Sequence, residues 1–309
     1  MEKIYKEVPD NFNELESYVI TDKIEIVECL IRAEKCFFYD TCAFRNHMNI
    51  SNPYAIFEYE KSNLSVVVLL RGIIMEMCSN DGKLWNEHIE YIKKINEYGI
   101  KVIVMYEEDA FDVLKAYCSD VTKINEWLIL AVKCIKNKVG TIEKVLQKNS
   151  ALKKEVVLAE KCSDSTLAKR LFQEIRKNKT TQDNLGEELI AICTHWLANI
   201  RCVDEYKYII LTDDKKAIPT ISKAINNSKK YQSAKLIAVV TTAKLCALMQ
   251  QDALLSSVSD VVDILSPRCG EDIIKIYGSE RYELKPLEKS MKISEFAKKI
   301  IDSSITVYF

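Results

Sequence analysis

The sequence predicts an α/β fold, with helices layered on both faces of a central, mostly parallel sheet. Three observations predict it. Short apolar runs rich in β-branched and aromatic residues alternate with longer stretches of helical periodicity, the pattern of strands covered by helices. Several of those runs, "CFFY", "VVVLL" and "LIAVV", are apolar throughout, as strands buried on both faces require. Gly 7 and Pro 5 make 12 of 309 residues, about 4% against roughly 12% in average usage. So few breakers argue for long helices and against a turn-rich sandwich or propeller.

The elements follow in order. Residues 1–34 read as an N-terminal helical segment, with Ile24, Val27, Leu30 and Ile31 near helical spacing. "KCFFYD" at 35–40 is a short buried strand that ends in an acid. "LSVVVLL" at 64–70 is a second strand, and "RGIIMEM" after it opens a helix. A helix over 84–97, stopped by Gly99 in a C-cap position, precedes a third strand within "GIKVIVMYEED" at 99–109. From about 109 to 180 no strand signal occurs. Ile124, Trp127, Leu128, Ala131 and Ile135 form one apolar stripe, and Ile142, Val145 and Leu146 begin another, so this stretch reads as a helical insertion. The helix "EELIAICTHWLANI", the strand "YKYIILTDD" at 206–214, the strand "KLIAVV" at 235–240 and the helix "TTAKLCALMQQ" then resume the alternation. Beyond residue 251, "DIIKIYG" and "RYELKP" read as short strands, "ISEFAKKIID" as a helix and "ITVYF" as a terminal strand. The expected organisation is the N-terminal segment, a domain over 35–250 carrying the insertion, and a small α+β extension over 251–309.

Composition sets bounds on function. A chain 48% apolar and 29% charged excludes a wholly disordered protein. The longest apolar stretch, "LSVVVLLRGIIMEM", is broken by Arg71 and too short to cross a bilayer, so no membrane role is expected. Eleven cysteines, odd in number and never in a C-x-x-C pair, point to reduced thiols and a cytoplasmic setting. The N-terminus "MEKIYKEVPDNFNELE" does not read as a targeting segment. His47, His88 and His195 are too dispersed for a histidine metal site. No G-x-x-x-x-G-K, G-x-G-x-x-G or G-x-S-x-G occurs, against a P-loop, a dinucleotide site and a hydrolase elbow.

Lys+Arg 44 against Asp+Glu 45 leaves a net charge of -1, but the charges are unevenly spread. Residues 1–60 hold twelve acids and six bases. Residues 215–251 hold seven lysines and no acid, among them Lys215, Lys216, Lys223, Lys229, Lys230 and Lys235. Residues 161–179 hold six bases and two acids. Such basic runs are either solvated helix faces or the footprint of a phosphate backbone.

In an open parallel sheet, sites form beyond the carboxyl ends of the strands. Asp40 closes "CFFYD", Asp213 and Asp214 close "YIILTDD", and Glu76 lies just past "VVVLL". Glu187 starts the helix that leads into the strand ending at Asp214. Carboxylates gathered in one crevice need a counter-charge, and oxygen-only ligands favour Mg²⁺ or Mn²⁺. Such a cation supports phosphodiester hydrolysis. Each acid also has a plainer reading: Asp40 and Asp214 as helix caps, Glu76 as a solvated helix acid, and Glu187 in a capping box with Asn184.

These residues resemble the PIN-domain nuclease family, metal-dependent enzymes that include ribonuclease toxins of toxin–antitoxin pairs. "FYDTCAF" is similar to the opening motif at Asp40 and Thr41, "VVVLLRGIIMEM" to the second at Glu76, "EELIA" to the third at Glu187, and "IILTDD" to the last at Asp214 with Asp213 beside it. The likeness covers roughly residues 35–250. It departs from the family in having Glu rather than Asp at position 187, so that Asp183 or Glu188 could serve instead, and in its length. The resemblance implies a PIN-like three-layer domain and a Mg²⁺- or Mn²⁺-dependent ribonuclease whose metal ligands are Asp40, Glu76, Glu187 and Asp214, with Asp213 a further candidate. The implied products carry a 5′-phosphate and a 3′-hydroxyl. Thr41, Thr212, Arg45 and Arg71 are expected to support the acids or contact substrate, and the lysines of 215–244, with those of 161–179 as further candidates, to grip RNA. A toxin or phage-defence effector is compatible with the length, as is a protein partner or homo-oligomer using the extra segments. The alternatives are a catalytically weak scaffold that binds RNA or protein, and a phosphatase acting on small phosphate esters.

Overall fold

A computed structural model describes residues 3–135, 140–181, 183–200, 206–215, 218, 221, 236–268, 272–281 and 283–309. Five strands, β1 (Cys36–Tyr39), β2 (Val66–Leu70), β3 (Lys101–Met105), β4 (Tyr208–Leu211) and β5 (Ile237–Val240), form one sheet in the order β3-β2-β1-β4-β5, and every pairing is parallel. β1, β2 and β4 are buried along their whole length, as strands covered by helices on both faces must be. The chain builds outward from β1 to β2 and β3, then returns to place β4 on the other side of β1. The strand order therefore reverses between β1 and β4, the position where crevices open in such sheets.

Fourteen α-helices are described. α1 (Lys23–Arg32) is capped by Asp22, whose Oδ1 accepts from the backbone of Ile24 and Glu25. α2 (Thr41–Met48) and α3 (Tyr54–Ser62) join β1 to β2; α4 (Arg71–Met77) and α5 (Asn86–Glu97) join β2 to β3. Between β3 and β4 lie α6 (Ala110–Lys115), α7 (Val121–Ile135), α8 (Thr141–Lys148), α9 (Ser150–Val157), α10 (Leu167–Lys177) and α11 (Leu185–Leu197). The described part of 109–180 is helical with no strand, and its buried side chains are continuous with the core under the sheet. Trp196 on α11 is fully buried and donates its indole N–H to the Ile124 carbonyl of α7 at 2.9 Å, which fixes the two helices to each other.

α12 (Thr242–Gln251) follows β5. The C-terminal part holds α13 (Val258–Leu265), β6 (Ile273–Glu280), β7 (Leu287–Lys292), α14 (Ile293–Ile301) and β8 (Ile305–Val307), with an antiparallel sheet in the order β7-β6-β8. Among the described residues no helix is long and apolar enough to cross a membrane.

Three expectations need correction. The helix of residues 1–34 is confined to Lys23–Arg32. Residues 3–11 instead form a strap along residues 76–84, and Ile20 pairs with the edge strand β3 through bonds to Val102 and Val104. The buried face of α1 is Ile26, Cys29 and Leu30, while Ile24 is exposed. Finally, the described residues of "RYELKP" are not in a strand. β7 starts at Leu287, after Pro286, which has no N–H to give to a ladder.

Candidate carboxylate site

β1 and β4 are in register, with Tyr39 opposite Leu211. The next residues, Asp40 and Thr212, therefore leave the sheet side by side, and Asp40 N–H donates to the Leu211 carbonyl at 2.9 Å. Asp40 stands at the N-cap position of α2, yet its carboxylate makes no cap bond. It turns to Thr212, whose Oγ1 donates to Asp40 Oδ2 at 2.9 Å, while the same Oγ1 accepts from the Asp214 N–H at 3.2 Å. One buried threonine thus ties the two strand-end acids together.

Glu76 lies on α4, one strand over. Its Oε2 accepts from Thr41 Oγ1 at 2.6 Å, and its Oε1 from Lys179 Nζ at 2.7 Å. Gly186, in the first turn of α11, packs on this carboxylate so closely that a Cβ there would meet Oε1 at 2.8 Å and Oε2 at 3.1 Å. α11 carries Glu187 next in sequence, half-buried.

The four acids act on one another. Burial first, then the charge of Glu76, pushes Asp40 up to about 7, against the bonds from Thr212 and the Thr41 N–H, and Asp214 adds to the rise. Burial first, then Asp40, pushes Glu187 up to about 8, with Glu76 and Asp214 contributing. These are carboxyls short of counter-charge. Of the alternatives for the third acid, Glu188 points elsewhere and Asp183 reaches Glu76 only through the Lys179 ammonium they share. Glu188 is buried and accepts from the Ile142 N–H at the start of α8. Asp183 pairs with Lys179 and accepts from the Thr180 and Leu185 N–H groups.

Asp213 is directed differently from Asp214. Its Oδ1 accepts from the Thr242 N–H at 2.9 Å, and its Oδ2 from Thr242 Oγ1 and from Asn46 Nδ2, so it anchors the N-terminus of α12. From Thr242 a buried chain continues: Thr242 Oγ1 to His47 Nε2 at 2.9 Å, His47 Nδ1 to Tyr39 Oη at 3.1 Å, and Tyr39 Oη to Glu60 Oε1 at 2.7 Å.

Among the supporting residues, Thr41 and Thr212 each hold a carboxylate of the cluster. Arg45 is exposed and donates to the Glu76 carbonyl at 3.3 Å. Arg71 is spent elsewhere: it is buried between the rings of Phe12 and Tyr106, at 4.6 and 4.8 Å, and donates to the Glu7 carbonyl at 3.2 Å. Lys215 is exposed, whereas Lys216, Lys223, Lys229, Lys230 and Lys235 lie outside the described residues. The basic run 161–179 is largely paired within the chain, which corrects its reading as a phosphate grip. Arg170 binds Asp164 and Glu155, Lys161 binds Glu155, and the buried Arg176 binds Glu7, Glu107 and Glu108.

Sequence reasoning missed Lys3, Asn46, Lys179 and Gly186 as parts of this site. A glycine inside the helical pattern of "LGEELIAIC" was a signal of close approach, and Lys179 four residues before Asp183 was a signal of an ion pair. Nothing in the sequence marked Lys3 or Asn46.

The donor set, carboxylates with threonine hydroxyls nearby, is the chemistry of a hard divalent cation. Among the described residues no three acids, histidines or cysteines converge tightly enough to enclose an ion. Thr212 links Asp40 to Asp214, and Thr41 and Lys179 hold the Glu76 carboxylate. Burial works against the Lys179 charge, but Glu76 and Asp183 outweigh it and keep its pKa raised. Comparison of the chain with protein-family models, curated proteins and solved structures returns no match.

Proposed function

We propose that this chain is a divalent-cation-dependent hydrolase of phosphodiester bonds that acts on RNA. One observation carries the reading. Asp40 and Asp214 share the Thr212 hydroxyl, Glu76 takes the hydroxyl of Thr41 next to Asp40, and Glu187 follows the Gly186 that packs on Glu76, all at the carboxyl end of a parallel sheet beside its reversal point.

A Mg²⁺ or Mn²⁺ ion would have to draw Asp40, Glu76, Glu187 and Asp214 closer together than they stand here, and when bound it would polarise a phosphoryl oxygen and make water a better nucleophile at neutral pH. The chain's own residues prepare the site. Thr212 orients Asp40 and fixes the backbone of Asp214; Thr41 and Gly186 orient Glu76. Lys179 neutralises Glu76 and pairs with Asp183 at the same time. With Asp40 near 7 and Glu187 near 8, loading a cation releases protons. The preference for RNA rests on the likeness to the PIN-domain nucleases.

The test is cleavage of RNA and DNA in Mg²⁺ or Mn²⁺ against EDTA, with Asp40→Asn and Asp214→Asn. Cation-dependent cleavage that both substitutions abolish supports the reading; cleavage that survives both refutes the site. The second reading, a scaffold that binds RNA or protein without cutting, is favoured by the Lys179 ammonium already paired with Glu76. Binding with no turnover of any polymer would select it, and turnover of nucleotides but not polymers would select a phosphatase.

A further inference from the structure

The main-chain oxygen of Glu76 receives two cations. Lys3 Nζ donates to it at 2.9 Å and Arg45 Nη2 at 3.3 Å. Neither forms an ion pair with a carboxylate among the described residues, in contrast to Lys179 on the same glutamate. Lys3 and Lys179 also share the Tyr5 ring, at 5.1 and 5.7 Å from its centroid.

Lys3 is not a loose end in this arrangement. The strap that carries it is tied by the Ile4 N–H to the Asn80 carbonyl, by the Asp10 N–H to the Gly82 carbonyl, by Asn11 to both backbone groups of Leu84, and by Glu7 to Arg71 and Arg176. The carbonyl end of a helix attracts a cation, and one would serve. Two on a single oxygen, with Lys179 beside them on the same glutamate and the same Tyr5 ring, repel one another. Of three N–H donors on Lys3 and five on Arg45, one each is used among the described residues. An anion in front of them would relieve the repulsion and take the remaining donors.

We propose that Lys3 and Arg45 form a phosphate subsite of the carboxylate site, which grips a backbone phosphodiester of a single nucleic-acid strand next to the bond being cut. The subsite rests on the hydrolase reading for its location, since Glu76 presents its carbonyl to the two cations and its carboxylate to the other acids. Lys3 and Arg45 are binding and positioning residues, and Tyr5 is the ring on which Lys3 rests.

The experiment measures binding of a fluorescent single-stranded RNA of mixed sequence to the full chain over a salt series. It uses wild type in EDTA and Asp40→Asn in Mg²⁺. Lys3→Gln and Arg45→Gln each weaken binding several-fold and reduce the slope of log affinity on log salt by about 0.7 for each phosphate no longer neutralised; Lys3→Arg and Arg45→Lys restore most of both. Unchanged affinity and slope in Lys3→Gln and Arg45→Gln overturn the subsite, as does failure of the wild type to bind the strand. Weaker binding with an unchanged slope also overturns it, because that is the mark of a structural role. Strand binding that needs Lys3 and Arg45 in a protein that never cleaves upholds the subsite and rejects the hydrolase instead.

Discussion

Gly186 lies against the carboxylate of Glu76, so that the first carbon of any side chain placed there would fall 2.8 Å from Oε1. Ile73 closes the same space at 2.9 Å, which leaves Glu76 little room to step aside without losing Thr41 and Lys179. Gly186→Ala is therefore expected to swing the carboxylate out of the cluster. Cation-dependent cleavage should fall by roughly a hundred-fold, while stability changes little, because the displaced atoms are ends of flexible side chains and Ala is favoured over Gly in a helix by about 1 kcal/mol. Cleavage rates and urea denaturation measure the two effects, and an alanine variant with wild-type activity would show that Glu76 is not needed where it stands.

Thr212 supplies one hydroxyl to two acids. Thr212→Val keeps the shape and removes both bonds, at a cost of about 1–3 kcal/mol. The donor to Asp40 favours its charged form, so its loss moves the Asp40 pKa further above about 7. Asp40 must be ionised to take a cation. Cation binding accordingly weakens as pH falls through the Asp40 pKa, and the variant should show the same limb displaced to higher pH. Mn²⁺ titration by calorimetry at several pH values reads the displacement; coincident curves would contradict it.

Arg176 is fully buried among Glu7, Glu107 and Glu108, and Glu107 also accepts from the Gly72 N–H at 2.9 Å. Arg176→Met takes the counter-charge from the buried Glu107, which costs about 3–5 kcal/mol. Urea unfolding should show that loss, and Arg176→Met/Glu107→Gln should recover part of it. Additive losses in the double variant would mean the two residues do not interact.

Glu60 is buried at the end of the chain that runs through Tyr39 and His47, and burial raises its pKa from 4.5 to about 8 although the Tyr39 bond opposes the rise. The folded state thus holds a proton that the unfolded chain releases near 4.5. Its contribution to stability is lost as pH rises between those two values. Glu60→Gln removes this dependence. Relative to wild type it should gain about 2 kcal/mol or more between pH 5 and pH 8, read from thermal or urea unfolding at each pH. A stability difference independent of pH would show that Glu60 is ionised in the fold.

Much of the sheet was legible because its signal is local. "CFFY", "VVVLL" and "KVIVM" are β-branched or aromatic runs, and all three are strands. The acids just past the strands could also be marked, since the carboxyl ends of parallel strands are where such sheets open. The N-terminal strap could not: "KIYKEVPD" has no period, and its contacts are with residues some seventy positions away.

The choice among Asp183, Glu187 and Glu188 shows the same division. Successive helical residues point about 100° apart, so packing of α11 against α4 and α8 decides which acid meets Asp40 and which caps α8. The basic run of 161–179 could be read for sign but not for partner, because Arg176 finds Glu107 across 69 positions of sequence.

From the sequence alone came most of the element types, the parallel α/β class and a short set of acids at strand ends, all properties that neighbouring residues encode through periodicity and backbone preference. Tertiary structure alone decided that β4 lies against β1, bringing Thr212 to Asp40 across 172 positions, and that Lys3, Lys179 and Gly186 surround Glu76. Those meetings depend on which surfaces bury each other when the sheet closes. No local pattern records that competition.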